Sequence, residues 1–250
     1  ECTLGVKYRR ENADGSVSGG PMYYLERYLL DRGFPQLGKL LGGFYALSLV
    51  IGCFGIGNMF QSNQAYVQVL SITGGEDSFF ADKGWLFGLL LASSVGAVII
   101  GGIRSIANVA SKIVPFMAVL YVFSAILIIA MSAEHLLGAI GLIVSSAFEA
   151  RSVTGGAVGA MIIGFQRAVF SNEAGIGSAS IAHSAVKTDE PVTEGLVSLL
   201  EPFIDSMVIC TLTSLVIVTT AYPNGLMDGG LEGIALTSAA FAHHISWSPY

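Results

Sequence analysis

Asn58-Met59-Phe60-Gln61-Ser62-Asn63-Gln64 places four carboxamides within seven residues. The stretch lies inside the run from Leu40 to Gly75, which contains no Asp, Glu, Lys, Arg or His. An amide buried without a hydrogen-bond partner costs roughly 2–7 kcal/mol. These amides therefore either pair with neighbouring helices or face a polar cavity, and the rest of the chain has to supply one or the other.

Working outward, composition sets the solvent. Of 250 residues, 53% are hydrophobic and 12% charged, whereas soluble domains carry about 25% charged residues. So few charges cannot coat a surface in water, and the chain reads as an all-α polytopic membrane protein. Its 31 glycines suit helices that pack closely in lipid. The three cysteines, Cys2, Cys53 and Cys210, are scattered without metal or redox spacing and read as small packing residues. His135, His183, His243 and His244 form no metal-ligand spacing with carboxylates. Ala174-Gly175-Ile176-Gly177-Ser178 lacks both the Lys-Ser/Thr pair and the preceding strand of a phosphate loop. No nucleophile–base set is spaced for catalysis. An enzyme is therefore not expected, nor is a nucleic-acid partner. The chain begins with Glu1 rather than Met and reads as an internal piece of a longer protein.

Residues 1–39 are polar and hold Lys7, Arg9, Arg10, Arg27, Arg32 and Lys39, half of the twelve basic residues. Asp14-Gly15 and Gly19-Gly20-Pro21 are turn signals, and Met22 to Leu30 has the spacing of a short amphipathic helix on the membrane. Five transmembrane spans follow, at about 40–70, 84–103, 113–131, 135–165 and 195–222. Pro115 falls near the expected start of the third, where a missing N–H does least harm. In the fourth, two half-length apolar pieces flank Glu149 to Gly156, the sign of a discontinuous helix. A re-entrant hairpin is the alternative. The excess of Lys and Arg puts 1–39, 104–112 and 166–194 in the cytoplasm, and 71–83, 132–134 and the truncated 223–250 loop outside. Location in the cytoplasmic (inner) membrane is expected.

Three long strings carry a resemblance: Ser18-Gly19-Gly20-Pro21-Met22-Tyr23-Tyr24, Phe54-Gly55-Ile56-Gly57-Asn58-Met59, and Val169-Phe170-Ser171-Asn172-Glu173-Ala174-Gly175-Ile176-Gly177-Ser178-Ala179. With Ile181-Ala182-His183, Lys187-Thr188-Asp189, Ile204-Asp205 and Ile209-Cys210-Thr211, the chain resembles the alanine/glycine:cation symporter family, the sodium:alanine symporters. The resemblance implies a leucine-transporter-type fold of two inverted five-helix repeats around a midplane site. On that pattern the five spans are core helices three to seven, the fourth span being the discontinuous sixth. It also implies Na⁺ as coupling ion, bound largely by helices outside this chain, a small neutral amino acid as substrate, and substrate contacts at the sixth-helix break.

A zwitterionic substrate brings a carboxylate and an ammonium into low dielectric, and both need dipoles. Neutral carboxamides can bind either end. Gln61 and Asn58 are three apart and share a helix face, with Phe54 four before Asn58 as an apolar wall. Near the break, Ser145, Ser146 and Phe148 are further substrate-side candidates. Interhelical hydrogen bonding, at about 0.6–2 kcal/mol per contact, is the competing role for the amides, and back-bonding to the helix for the serines. Glu201 and Asp205 are four apart in the last span. With Arg167 they form a candidate gating or ion pair, with direct ion coordination or proton carriage as alternatives. Two other classes remain in view. An ion channel needs a continuous polar stripe or charged ring, which the second and third spans lack. A membrane-embedded enzyme subunit would have only Glu201 and Asp205 to use.

Overall fold

Helices dominate the computed structural model, which describes residues 1–13, 15–147, 161–162, 164–165, 168–169, 171–226, 230–231 and 233–245. Three helical stretches are long and apolar enough to cross a membrane: Pro35–Ile72, Gly102–Met131 and Pro191–Ala221. Gly84–Ile99 and Ala133–Ser146 are shorter apolar helices. Large apolar side chains point outward along these elements, Leu137 at 82% exposure, Trp85 at 70% and Phe116 at 70%. Water does not tolerate such a surface in quantity, and lipid does. This is a multi-pass membrane protein. The break expected at 149–156 lies outside the described residues.

Packing divides the chain into two units, the first comprising Glu1–Met59 and Gly164–Met207, the second Phe60–Ile163 and Val208–Tyr250.

In the first unit, α1 (Cys2–Lys7) packs against α8 (Ala179–His183) and α9 (Pro191–Val197). Burial pushes the Cys2 thiol above its ordinary pKa, against a lowering hydrogen bond with Ser198. A two-stranded hairpin, β1 (Arg10–Glu11) and β2 (Val17–Ser18), pairs Arg10 with Ser18 and Glu11 with Val17. Asn12 Nδ2 braces its turn by donating to Ser16 Oγ (2.9 Å) and Ser18 Oγ (3.0 Å). Arg9 ties the hairpin down by donating to the Val186 carbonyl at 2.7 Å. The expected amphipathic helix is α2 (Pro21–Asp31), and it turns back at Gly33 to pack on α3 (Pro35–Phe54). Gly38 and Gly42, the two buried residues of α3, set that contact. A Cβ on Gly38 would lie 3.0 Å from the Glu26 carbonyl oxygen, and one on Gly42 2.7 Å from that of Met22. Glycines four apart let the two backbones touch.

In the second unit, α4 (Phe60–Ile72) is held by Gln68 Nε2 donating to Ser238 Oγ at 3.2 Å. Tyr66 donates to the carbonyls of Phe80 (2.8 Å) and Ala81 (3.1 Å), closing the loop before α5 (Gly84–Ile99). The core lies between α6 (Gly102–Met131), α10 (Thr211–Val216) and α11 (Gly233–His244): Ala125, Ile128, Val216, Ala221, Ala240, Phe241 and Ile245 are buried together. Tyr121 stacks on Phe241 at 5.5 Å and hydrogen-bonds Thr213. At the end of α6, Ser132 Oγ pairs with His244 Nε2 at 2.9 Å, beside α7 (Ala133–Ala147). One expectation needs correcting. α6 begins at Gly102, well before its apolar run, so Pro115 sits in the helix interior rather than near its start. The helix continues through it, forgoing the N–H bond to the Ser111 carbonyl.

Candidate functional site

The carboxamide stretch does not fold as regular α-helix. Between α3 and α4 the chain makes a π-helical turn, Gly55–Met59, with Asn58 inside it and Gln61 just beyond. A π turn bonds i to i−5 instead of i−4, widening the helix by one residue, and such turns recur at functional sites. It also changes which side chains align, and Asn58 and Gln61 stand on either side of the passage from π turn to α-helix. The four-residue spacing of Phe54 and Asn58 survives. Both line an open groove of ≈ 340 Å³ with Leu49, Val50 and Cys53. Gln61 is exposed on α4 and is not among the residues lining that groove.

The other described candidates make contacts of their own. Ser145 Oγ donates to the Leu142 carbonyl at 3.1 Å, the back-bonding expected of a serine near a helix end. Ser146 follows it on α7. Phe148 and Arg167 lie outside the described residues. Glu201 and Asp205 have separate partners. Ser171 donates to Asp205 Oδ2 at 2.7 Å. Glu201 Oε2 stands 3.8 Å from His183 Nε2.

That imidazole is the residue sequence reasoning passed over. Its Nδ1 donates to Glu194, a carboxylate whose side chain is only 10% exposed. Since a carboxylate only accepts, Nδ1 must carry the hydrogen. His183 thus ties α8 to α9 and faces the start of the last span. Glu194 and Glu201 are seven residues apart, two helical turns, and that spacing was the available signal. Nearby, Ser178 donates to Glu173, and the Asn172 side-chain oxygen accepts from Ala174 N at 2.8 Å. Gly177 at φ +104° closes this loop: a Cβ there would meet Pro21 Cγ at 2.4 Å and Tyr45 Oη at 2.7 Å. The strings 18–24 and 169–179 therefore meet in space, in a fit that only glycine permits. The Tyr45 hydroxyl and the Asn172 amide nitrogen are buried there without a hydrogen-bond partner among the described residues.

The family model for the sodium:alanine symporter family matches residues 1–250. The chain belongs to that family. Among curated relatives, the sodium/alanine symporter AgcS of Methanococcus maripaludis is 43% identical over 245 residues, 96% of this chain and 51% of its own length. A Bacillus subtilis protein named probable sodium/glutamine symporter GlnT is 35% identical over 250 residues, 99% of this chain and 48% of its own. The amino-acid carrier protein AlsT of the same organism is 32% identical over 252 residues, 100% of this chain and 50% of its own. The chain spans about half the length of the curated relatives it matches. For a sodium:alanine symporter family member, the polar π turn inside an apolar helix takes on functional interest, because it interrupts regular helix in the middle of a membrane-length segment, as Phe203–Cys210 does in another.

Proposed function

We propose that this chain is part of a Na⁺-coupled symporter for small neutral amino acids, alanine or glycine, working by alternating access in the cytoplasmic membrane. The family match along residues 1–250 carries this reading. The groove at Phe54 and Asn58 supports it by setting a neutral amide beside an apolar wall, the pairing a short zwitterion needs. Asn58, Gln61 and Phe54 are the substrate-side residues, joined by Ser145, Ser146 and Phe148 from the interrupted fourth span. His183, Glu194 and Glu201, with Asp205, Ser171 and Arg167, form the gating network. Na⁺ binds largely on helices outside this chain, within a leucine-transporter-type arrangement of two five-helix repeats. Residues 1–39 and 166–194 face the cytoplasm, and 223–250 the opposite side.

Coupling supplies the energy. One positive charge crossing 100 mV releases about 2.3 kcal/mol, enough for roughly 50-fold accumulation of a neutral solute. The test is uptake of labelled alanine into proteoliposomes with an inward Na⁺ gradient, with unlabelled glycine and glutamine as competitors. Saturable uptake abolished by removing Na⁺ supports the proposal. Ohmic current or turnover of substrate to a product rejects it. Asn58→Ala should raise KM more than it lowers the maximal rate. An unchanged KM removes Asn58 from the site.

A further inference from the structure

α6 is 30 residues long, about 45 Å at 1.5 Å per residue, against a hydrocarbon core of about 30 Å. The excess falls at its first turns, which carry Arg104 and Lys112. From residue 84 to 133 these are the only charged side chains, and no Asp or Glu occurs in that stretch. Both are exposed. Among the described residues, the elements chiefly packed on α6 bring no answering carboxylate: α5, α10 and α11 contain no acidic residue, and α7 has only Glu134, at the opposite end. Among the described residues neither cation has an acidic partner. Arg104 does not serve its own helix either, because a cation in the first turn opposes the positive end of the helix dipole.

The spacing is ordered. Arg104, Asn108, Lys112 and Phe116 follow one another at intervals of four along one ridge of the helix. The ridge passes from two cations and an amide to an apolar ring, 70% exposed, at the point where the helix enters its apolar run. Ile100, 89% exposed, and Ile103 flank its outer end. Charge above and aliphatic or aromatic surface below is the order of a phospholipid read from headgroup to acyl chain. We infer that Arg104, Asn108 and Lys112 form a headgroup site for an anionic phospholipid, with Phe116 against its acyl chains. The guanidinium can take a phosphate in two parallel hydrogen bonds, Lys112 adds a point charge, and the Asn108 amide donates alongside. Basic residues at the membrane surface recognise anionic lipid in this way.

The protein, purified in neutral detergent, is titrated with phosphatidylglycerol or phosphatidylcholine, and bound lipid is counted by native mass spectrometry. Wild type should prefer phosphatidylglycerol, and added salt should weaken that preference. Each lost cation should weaken phosphatidylglycerol binding about fivefold, so R104Q/K112Q should lose roughly 25-fold, while phosphatidylcholine binding stays unchanged. R104K/K112R should retain most of the preference. Should the double Gln variant fail to fold, the single variants R104Q and K112Q carry the same test. Equal wild-type binding of the two lipids, or a preference indifferent to the Gln variants, overturns the inference. So does a stability loss in the Gln variants that is the same with either lipid, since it would mean that the ridge docks on protein.

Discussion

Replacing Gly42 by alanine tests whether α2 and α3 are held by backbone contact. A Cβ at position 42 would sit 2.7 Å from the Met22 carbonyl oxygen and 3.5 Å from the Met22 Cα and carbonyl carbon. All three are backbone atoms of α2, so no rotamer change relieves the clash and the helix itself must shift. Overpacking of this kind costs about 1–3 kcal/mol. Against it stands the gain from placing alanine in a helix, about 1 kcal/mol over glycine. Gly43, the next residue, supplies the control, since nothing lies within 4 Å of a Cβ built there. Both substitutions make the same propensity gain in the same helix, so their difference isolates the packing term. Gly42→Ala should therefore be about 1–3 kcal/mol less stable than Gly43→Ala. At about 2–4 °C per kcal/mol for a chain of this size, their melting temperatures in detergent should differ by roughly 2–12 °C. Tryptophan fluorescence on heating, at matched protein and detergent concentration, measures it. Equal Tm values would refute the reasoning, because they would mean that α2 is free to move away from α3.

Three further outcomes follow from the geometry. His183→Ala should destabilise the first unit by about 1–3 kcal/mol, because it strips the buried Glu194 carboxylate of its donor, whereas Glu201→Gln, at an exposed and longer contact, should change stability by less than about 1 kcal/mol. Equal effects in thermal unfolding would contradict the assignment of Glu194 as the structural partner. Burial, and then neighbouring His243, lower the His244 pKa; the unfolded chain then binds the proton more readily, so the contribution of His244 is present above about pH 6.5 and is lost as pH falls through the lower folded value. Wild type should accordingly lose Tm between pH 7.5 and 5.5 more steeply than His244→Gln, and parallel curves would remove His244 from the account. Cys53 is exposed in the groove and Cys2 is buried, so a thiol reagent should modify Cys53 first, and alanine with Na⁺ should slow that reaction several-fold in a Cys2→Ser/Cys210→Ser background. An unchanged rate would separate the groove from the substrate path.

What the sequence made legible follows from which terms are local. Charge is local: the uncharged run around Asn58 and the scarcity of Asp, Glu, Lys and Arg elsewhere identify a membrane protein residue by residue, and apolar helices stand where long apolar runs are written. Helix register is not local in the same sense. Nothing in Gly55-Ile56-Gly57-Asn58-Met59 announces a π turn, since no proline interrupts it and every residue there is compatible with α-helix. Asn58 sits inside that turn and lines a groove with Phe54, and Gln61 follows on α4. The same holds for the carboxylates of the last span. Glu201 and Asp205, four apart, read as a pair; the segment Phe203–Cys210 is also π-helical, and the two side chains meet His183 and Ser171. Face assignments that assume 3.6 residues per turn shift wherever a helix takes an extra residue into a turn. Asn58 and Asp205 stand in two of those turns. A wider turn leaves backbone carbonyls and N–H groups less completely paired, and in lipid that is tolerable only beside protein or a polar ligand. In the turn that carries Asn58, the backbone and the side-chain amide therefore need polar company together.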